Sequence, residues 1–349
     1  MGGTYSSSGG GGQVQTNRRP DEADSQQSLP EAHREDEVDE AYRDFMEDSG
    51  ITEQQGEKVS RRRDIIEDAV RDDLAVEDSQ LIGSFTRDTV TGPLTEDTDA
   101  DVMLVLDADE HREWVEQEDG PRNCLRAVKR RIRNDPRFSR TDVEIDQNVV
   151  RVKYCDSTIE VVPAFRYNKV PNAEHPKKNP SIFDDANDGY AIPDTHGSPS
   201  WTGTNPRAYK ERFEARDQTH DGKVSGLSRS MKKWAENNGI PIRGYTMEMM
   251  VYNYFEEKAR TGEPVPDNYE SLTRDFVDSL PSRMAQDTRE PIYDEAVDSD
   301  MDPEEKQEAS QRASELRDKL QKARRLKEQG RTEEAKKKLK DAFGEGFSG

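Results

Sequence analysis

Asp99 and Asp101 open the apolar run Val102-Met103-Leu104-Val105-Leu106, and Gly83-Ser84-Phe85 stands upstream, directly after Leu81-Ile82. In a strand, side chains at i and i+2 point to one face, so the two aspartates aim at one place. Two carboxylates converging there make a hard, negative oxygen site suited to Mg²⁺. A third carboxylate, Glu160, lies in a second β-type run, Thr158-Ile159-Glu160-Val161-Val162. From a neighbouring strand it would let the site hold two ions, which can activate an attacking hydroxyl and stabilise a leaving pyrophosphate. Gly83-Ser84 ends a strand, where a tight turn offers backbone N–H groups and a hydroxyl to phosphates. Asp-x-Asp alone is more often a solvated strand end, and Gly-Ser alone says less. Their combination, with Asp99 fifteen residues after Ser84 and a third carboxylate on a separate run, points to metal-dependent nucleotidyl transfer.

Positioning such a site takes a sheet and its braces. Strands are predicted near 80–85, 101–106, 142–146, 149–154 and 158–163, with Gly92-Pro93 marking a loop and Asp156-Ser157 joining the last two as a hairpin. Val59, Ile65, Ile66, Ala69, Val70 and Leu74 recur at helical spacing over 57–76, with Ser60 as N-cap. A helical stretch near 109–118 breaks at Asp119-Gly120-Pro121. A basic helix follows over 121–134, whose Arg122, Arg126, Lys129, Arg130, Arg131 and Arg133 read as a solvated face. Residues 166–204, rich in Asn, Pro, Asp and Gly, read as a long loop flanking the pocket. Helices are predicted at 206–217, 222–237, 245–259, 269–280, 304–328 and 331–342. The whole is a two-lobed α+β chain. Residues 1–45 form an acidic, Gly/Ser-rich disordered tail, 46–204 the catalytic core with its bracing helix, and 205–349 a helical lobe.

Composition narrows the function. The chain has 349 residues, 30% hydrophobic and 36% charged, and a net charge of −22. The acid is spread along its length, which reads as the adaptation of a halophile to high salt. That charge disfavours stable binding of bulk nucleic acid. No apolar run is long enough to span a membrane, and the first residues lack the apolar core of a signal peptide. Cys124 and Cys155 show no zinc or disulfide spacing and read as small buried hydrophobes in a reducing, cytoplasmic setting. None of the five histidines sits at metal-ligand spacing.

Gly83-Ser84-Phe85-Thr86-Arg87-Asp88-Thr89, Asp97-Thr98-Asp99-Ala100-Asp101-Val102 and Ile159-Glu160-Val161-Val162-Pro163-Ala164-Phe165 together resemble the polymerase-β-type nucleotidyltransferases. More narrowly, they resemble the prokaryotic cGAS/DncV-like enzymes that make cyclic oligonucleotide signals in antiphage defence. Lys232-Lys233-Trp234, Gly244-Tyr245 to Glu248, Glu290 to Asp294 and Phe343-Gly344-Glu345-Gly346-Phe347 extend the resemblance over roughly residues 56–347. Gly244 stands where that family has serine, and Glu295 where it has proline.

The resemblance implies a polymerase-β-like core with a mixed sheet plus a C-terminal helical lobe. It implies two Mg²⁺ or Mn²⁺ ions on Asp99, Asp101 and Glu160, and NTP substrates, ATP among them. Gly83 and Ser84 would cradle the β- and γ-phosphates, and Lys232 would place an ammonium on the triphosphate. Tyr245 would stack on a base or pack at a helix start. Arg87 stays open between positioning the triphosphate and a surface ion pair. The product would be a cyclic di- or trinucleotide second messenger. The alternatives are a template-free RNA or tRNA nucleotidyltransferase and a non-catalytic nucleotide sensor. Regulatory partners, or coupling of the C-terminus to another protein, are also implied.

Overall fold

The computed structural model describes residues 31–171, 173–174 and 189–348, with 31–36 as backbone alone. It contains helices α1 (Glu31–Asp48) and α2 (Glu53–Leu74), strands β1 (Val76–Leu81) and β2 (Asp99–Leu106), and helices α3 (Arg112–Glu116) and α4 (Gly120–Asn134). Strands β3 (Asp142–Asp146), β4 (Val149–Tyr154), β5 (Ser157–Arg166), β6 (Tyr190–Asp194) and β7 (Ser200–Thr204) follow. Helices α5 (Pro206–Thr219), α6 (Lys223–Asn237), α7 (Gly244–Thr261), α8 (Tyr269–Met284), α9 (Pro303–Glu328) and α10 (Thr332–Phe343) complete the chain.

The sheet runs β1-β2-β5-β4-β3, with β6 pairing β5 and β7 pairing β6. β2 and β5 are parallel, and the remaining pairs are antiparallel. This is the mixed α+β arrangement expected from the strand and helix runs. Period-two alternation decides which face does what. Ala100, Val102, Leu104 and Leu106 of β2, with Ile159 and Val161 of β5, join the core formed with α2 and α4. Asp99, Asp101 and Glu160 fall on the opposite face. There Met103, Val105, Ala164 and Tyr190 make a small separate core.

Helix α2 starts earlier than Ser60. Thr52 caps it, and Gln55 returns the bond in a capping box, satisfying two donors that the first turn leaves open. Ser60 lies inside the helix and donates to the Gly56 carbonyl. The arginine-rich α4 buries Cys124, Leu125, Val128 and Ile132 on the back of the sheet, so its basic residues line the outer side as expected. Cys124 is buried, but Cys155 is exposed in the β4–β5 turn, contrary to its reading as a buried hydrophobe.

Two segments differ more. The region 166–204 holds the β6–β7 hairpin as well as loop. Pro193 and Gly203 lie inside those strands and masked them in the sequence, since both residues are depleted from strand interiors. Residues 172 and 175–188 of the expected loop lie outside the described residues, as do 1–30 of the expected tail. The tail nevertheless ends before residue 45. Val38, Ala41, Tyr42, Phe45 and Met46 of α1 are buried in the core of the helical lobe. Tyr42 and Phe45 pack on Phe343 and Phe347 at centroid distances of 5.1–5.8 Å. The first helix thus belongs with the last one, and the helical lobe is not a continuous 205–349 unit.

A truncation separates these readings. Each buried aliphatic or aromatic side chain contributes about 1.5–3 kcal/mol. A chain starting at Glu47 lacks four of them, Val38, Tyr42, Phe45 and Met46, together with the smaller Ala41, and takes Tyr42 and Phe45 away from Phe343 and Phe347. It is expected to lose the cooperative thermal transition of the helical lobe, followed by circular dichroism, while a chain starting at Glu31 keeps it. An intact transition in the shorter chain would return α1 to the tail.

Candidate active site

The eight residues singled out in the sequence line one cleft of about 1120 Å³ between the sheet and the helical lobe: Gly83, Ser84, Arg87, Asp99, Asp101, Glu160, Lys232 and Tyr245. Register accounts for the carboxylates. Asp101 is the direct partner of Glu160 across the parallel β2–β5 pair, and Asp99 is two residues back on the same face. Three like charges on neighbouring positions leave the site short of positive charge. Burial, then Asp99 and Asp101, push the Glu160 carboxyl up to about 7, against Arg151. Burial pushes Asp101 up to about 6, with Arg87 opposing and Asp99 adding to the rise. Hard oxygen donors on one face, whose like charges oppose one another, fit a divalent cation. As they stand, Arg151 spans Asp99 and Glu160 at 3.2 Å to each. Among the described residues no three His, Cys, Asp or Glu side chains are already gathered around a cation position.

The Gly83–Thr86 segment is a 3₁₀ turn directly after β1, tied to β2 by the Ile82 N–H donating to the Asp101 carbonyl. Gly83 has φ +68°, and a Cβ there would collide with the Asp101 carboxylate. Only glycine brings the turn this close to the aspartate. The Ser84 carbonyl accepts from the Arg87 and Thr89 N–H groups, which fixes the turn into the next loop.

Arg87 is neither a surface ion pair nor free in the cleft. Its Nε donates to Glu248 Oε1 at 2.6 Å. Lys232 Nζ donates to Glu248 Oε2 at 2.7 Å and to the Thr89 carbonyl at 2.9 Å. The Thr89 and Tyr209 hydroxyls also donate to Glu248. Burial alone would raise the Glu248 carboxyl, but the charges of Lys232 and Arg87 outweigh it and hold it at about 2. Tyr245 is the more exposed member of an edge-to-face pair with Tyr209, and Arg87 lies 4.5 Å over the Tyr209 ring. Trp234 of the quoted Lys232-Lys233-Trp234 string is core.

The residues after Arg87 are gripped by α6 at further points. Arg229 donates to the Asp88 carbonyl and carboxylate, Lys233 to the Gly92 carbonyl, and Thr91 to Glu236. Glu248, Tyr209 and Arg151 carry this geometry without having been singled out as site residues. Glu248 ended a quoted motif with no role assigned. Arg151 was findable only through its register opposite Glu160.

A mixed sheet carrying an aspartate pair and a third carboxylate, faced by a helical lobe across a cleft, is the architecture of the polymerase-β-type nucleotidyltransferases. Residues 37–217, just over half of the chain, match the Second Messenger Oligonucleotide or Dinucleotide Synthetase domain, and the chain belongs to that family. A probable cyclic nucleotide synthase of Bacillus cereus is 30% identical over 202 residues, which cover 50% of this chain and 55% of that protein. The chain therefore spans about half the length of this curated relative.

Solved structures share the fold. Escherichia coli CdnC, in a complex with a HORMA protein, has a TM-score of 0.62 at 14% identity over 89% of this chain and 98% of that one. Bradyrhizobium diazoefficiens CdnG, solved with GTP, has 0.61 at 12% identity over 89% and 96%. The Vibrio cholerae cyclic AMP-GMP synthase DncV has 0.54 at 16% identity over 92% and 93%. Among the described residues no helix is long and apolar enough to cross a membrane.

Proposed function

We propose that this chain joins NTPs into a cyclic di- or trinucleotide second messenger by metal-dependent nucleotidyl transfer. The observation that carries the reading is the placement of Asp99, Asp101 and Glu160 on one cleft-lining face of β2 and β5, beside the Gly83–Ser84 turn. Membership of the synthetase family supports it. The three carboxylates would hold two Mg²⁺ or Mn²⁺ ions. When bound, such ions supply activation of the attacking ribose hydroxyl and neutralisation of the leaving pyrophosphate.

The chain's own residues do the rest. The Gly83–Ser84 turn presents backbone N–H groups and the Ser84 hydroxyl toward the β- and γ-phosphates. Arg87 and Lys232, two cations against the single charge of Glu248, leave a positive surplus for the triphosphate. Tyr245 offers an exposed ring to a base. Stacking of this kind is worth about 1–3 kcal/mol per base. ATP and GTP are natural candidates, since relatives are solved with each. A regulatory partner of the HORMA type, as on the Escherichia coli relative, fits the same reading. Coupling through the C-terminus would involve Gly349, which lies outside the described residues. The setting is cytoplasmic antiphage signalling, in an organism whose high internal salt suits a charge of −22.

The test is mass spectrometry of products from the four NTPs with Mg²⁺ or Mn²⁺, at several salt concentrations and after phosphatase treatment. A phosphatase-resistant cyclic product is expected. Linear, phosphatase-sensitive chains alone would move the assignment to a template-free polymerase, and no turnover under any condition, with or without partners, to a nucleotide sensor.

A further inference from the structure

Arg151 stands on β4 directly opposite Glu160 of β5. Its Nη2 donates to Asp99 Oδ1 at 3.2 Å, and its Nε lies 3.2 Å from Glu160 Oε1. That Nε is enclosed yet makes no well-aligned hydrogen bond, so charge rather than geometry holds it to Glu160. Its Nη1 is 3.5 Å from Asp146 Oδ2 on β3, toward the outer edge of the sheet. One guanidinium therefore bridges the two outer carboxylates of the set, with a fourth carboxylate within reach behind it.

Without a cation between them, Asp99 and Glu160 repel each other and Asp101. A guanidinium relieves that repulsion, but it offers only donors and cannot serve as an oxygen ligand. A divalent ion drawing on Asp99 and Glu160 meets a like charge already in place, and the two cations cannot share one position.

We infer that Arg151 is a resident counter-ion of the catalytic carboxylates. It holds Asp99 and Glu160 together across the sheet before a divalent ion arrives, and it yields by turning onto Asp146. This rests on the reading of Asp99, Asp101 and Glu160 as a metal site. Arg151 is accordingly a positioning residue, and its signature is in metal affinity and in metal-free stability.

The experiment titrates Mn²⁺ into the full chain without nucleotide, reading bound ion by electron paramagnetic resonance, and melts each variant in EDTA and in saturating Mn²⁺. Arg151→Met is expected to bind Mn²⁺ about tenfold more tightly, the scale of one charge-assisted hydrogen bond that no longer has to be broken. Its melting temperature falls in EDTA, where the carboxylates lose their cation, and recovers in Mn²⁺. Arg151→Lys keeps the charge but cannot span both oxygens, and it gives the same ranking at smaller size, which covers a poorly folding methionine variant. Asp146→Asn removes the second anchor and is expected to weaken Mn²⁺ binding. If neither Arg151 variant binds Mn²⁺ more tightly than the unaltered chain, the counter-ion role is overturned, and an unchanged Asp146→Asn removes the turn onto that residue. Asp101→Asn separates the two layers: Mn²⁺ binding that survives it overturns the metal-site reading itself, whereas binding lost there but indifferent to Arg151 overturns only the inference.

Discussion

Asp101→Asn is expected to lower nucleotidyl transfer at least about a thousandfold, the upper range for removing one preorganised electrostatic contact from a transition state, while leaving the chain folded. Asp101 sits between the Gly83 turn and Glu160, in register with the latter. Asparagine has the same shape and fits the same space, so the turn keeps its place. What is lost is a negative charge and a carboxylate oxygen that an amide cannot replace. Stability should hold or improve, because burial pushes Asp101 up to about 6 and thus opposes its charged form in the folded chain. Loss of turnover with an unchanged or higher melting temperature is the combination that marks a functional carboxylate. Asp99→Asn should behave alike in turnover, and it also removes one end of the Arg151 bridge. Near-normal turnover in folded Asp101→Asn would refute the assignment of this aspartate. A large fall in melting temperature would instead mark Asp101 as a structural residue.

Period and punctuation carried much of the fold. The helices from Pro206 to Phe343 have buried stripes such as Ala309, Ala313, Leu316, Leu320 and Ala323, whose 3.6-residue spacing is visible in the sequence. The alternation on β2 and β5 equally foretold that Asp99, Asp101 and Glu160 share a face. What escaped depended on partners far away in the chain. Helix α1 looked like tail because its apolar residues are few and flanked by acid, and only Phe343 and Phe347 give them something to pack on. Strands β6 and β7 were hidden by Pro193 and Gly203, tolerated where few neighbours pair with them. Arg87 and Lys232 were singled out in the sequence, and both line the cleft. Their common carboxylate was not, because 161 residues separate Arg87 from Glu248. Sequence spacing identifies groups on one strand or helix, whereas a charge network across two lobes is set by tertiary packing.

That network yields the second large expected effect. Glu248→Gln should destabilise the folded chain by about 3–5 kcal/mol, the cost of stripping one partner from a buried ion pair. Glu248 is fully enclosed and receives bonds from Arg87 and Thr89 of the sheet lobe, and from Lys232 and Tyr209 of the helical lobe. Glutamine presents an amide N–H₂ to cations that can only donate, leaving Arg87 and Lys232 buried with no compensating charge. Added salt should not rescue the variant, because buried pairs are screened far less than exposed ones. Any remaining folded protein should turn over more slowly, since this carboxylate fixes the helical lobe against the loop that follows Gly83 and Ser84. A displacement of about 1 Å between reacting groups can cost on the order of a hundredfold in rate. The discriminating measurement is a double-mutant cycle in urea with Arg87→Met. Removing Arg87 along with the Glu248 charge discards one of the two stranded cations, so the double variant should be less destabilised than the two single effects predict together. Strict additivity would mean that Arg87 and Glu248 do not act as a unit, and that the lobes are held at this cleft by the other contacts of α6, those of Arg229, Lys233 and Glu236.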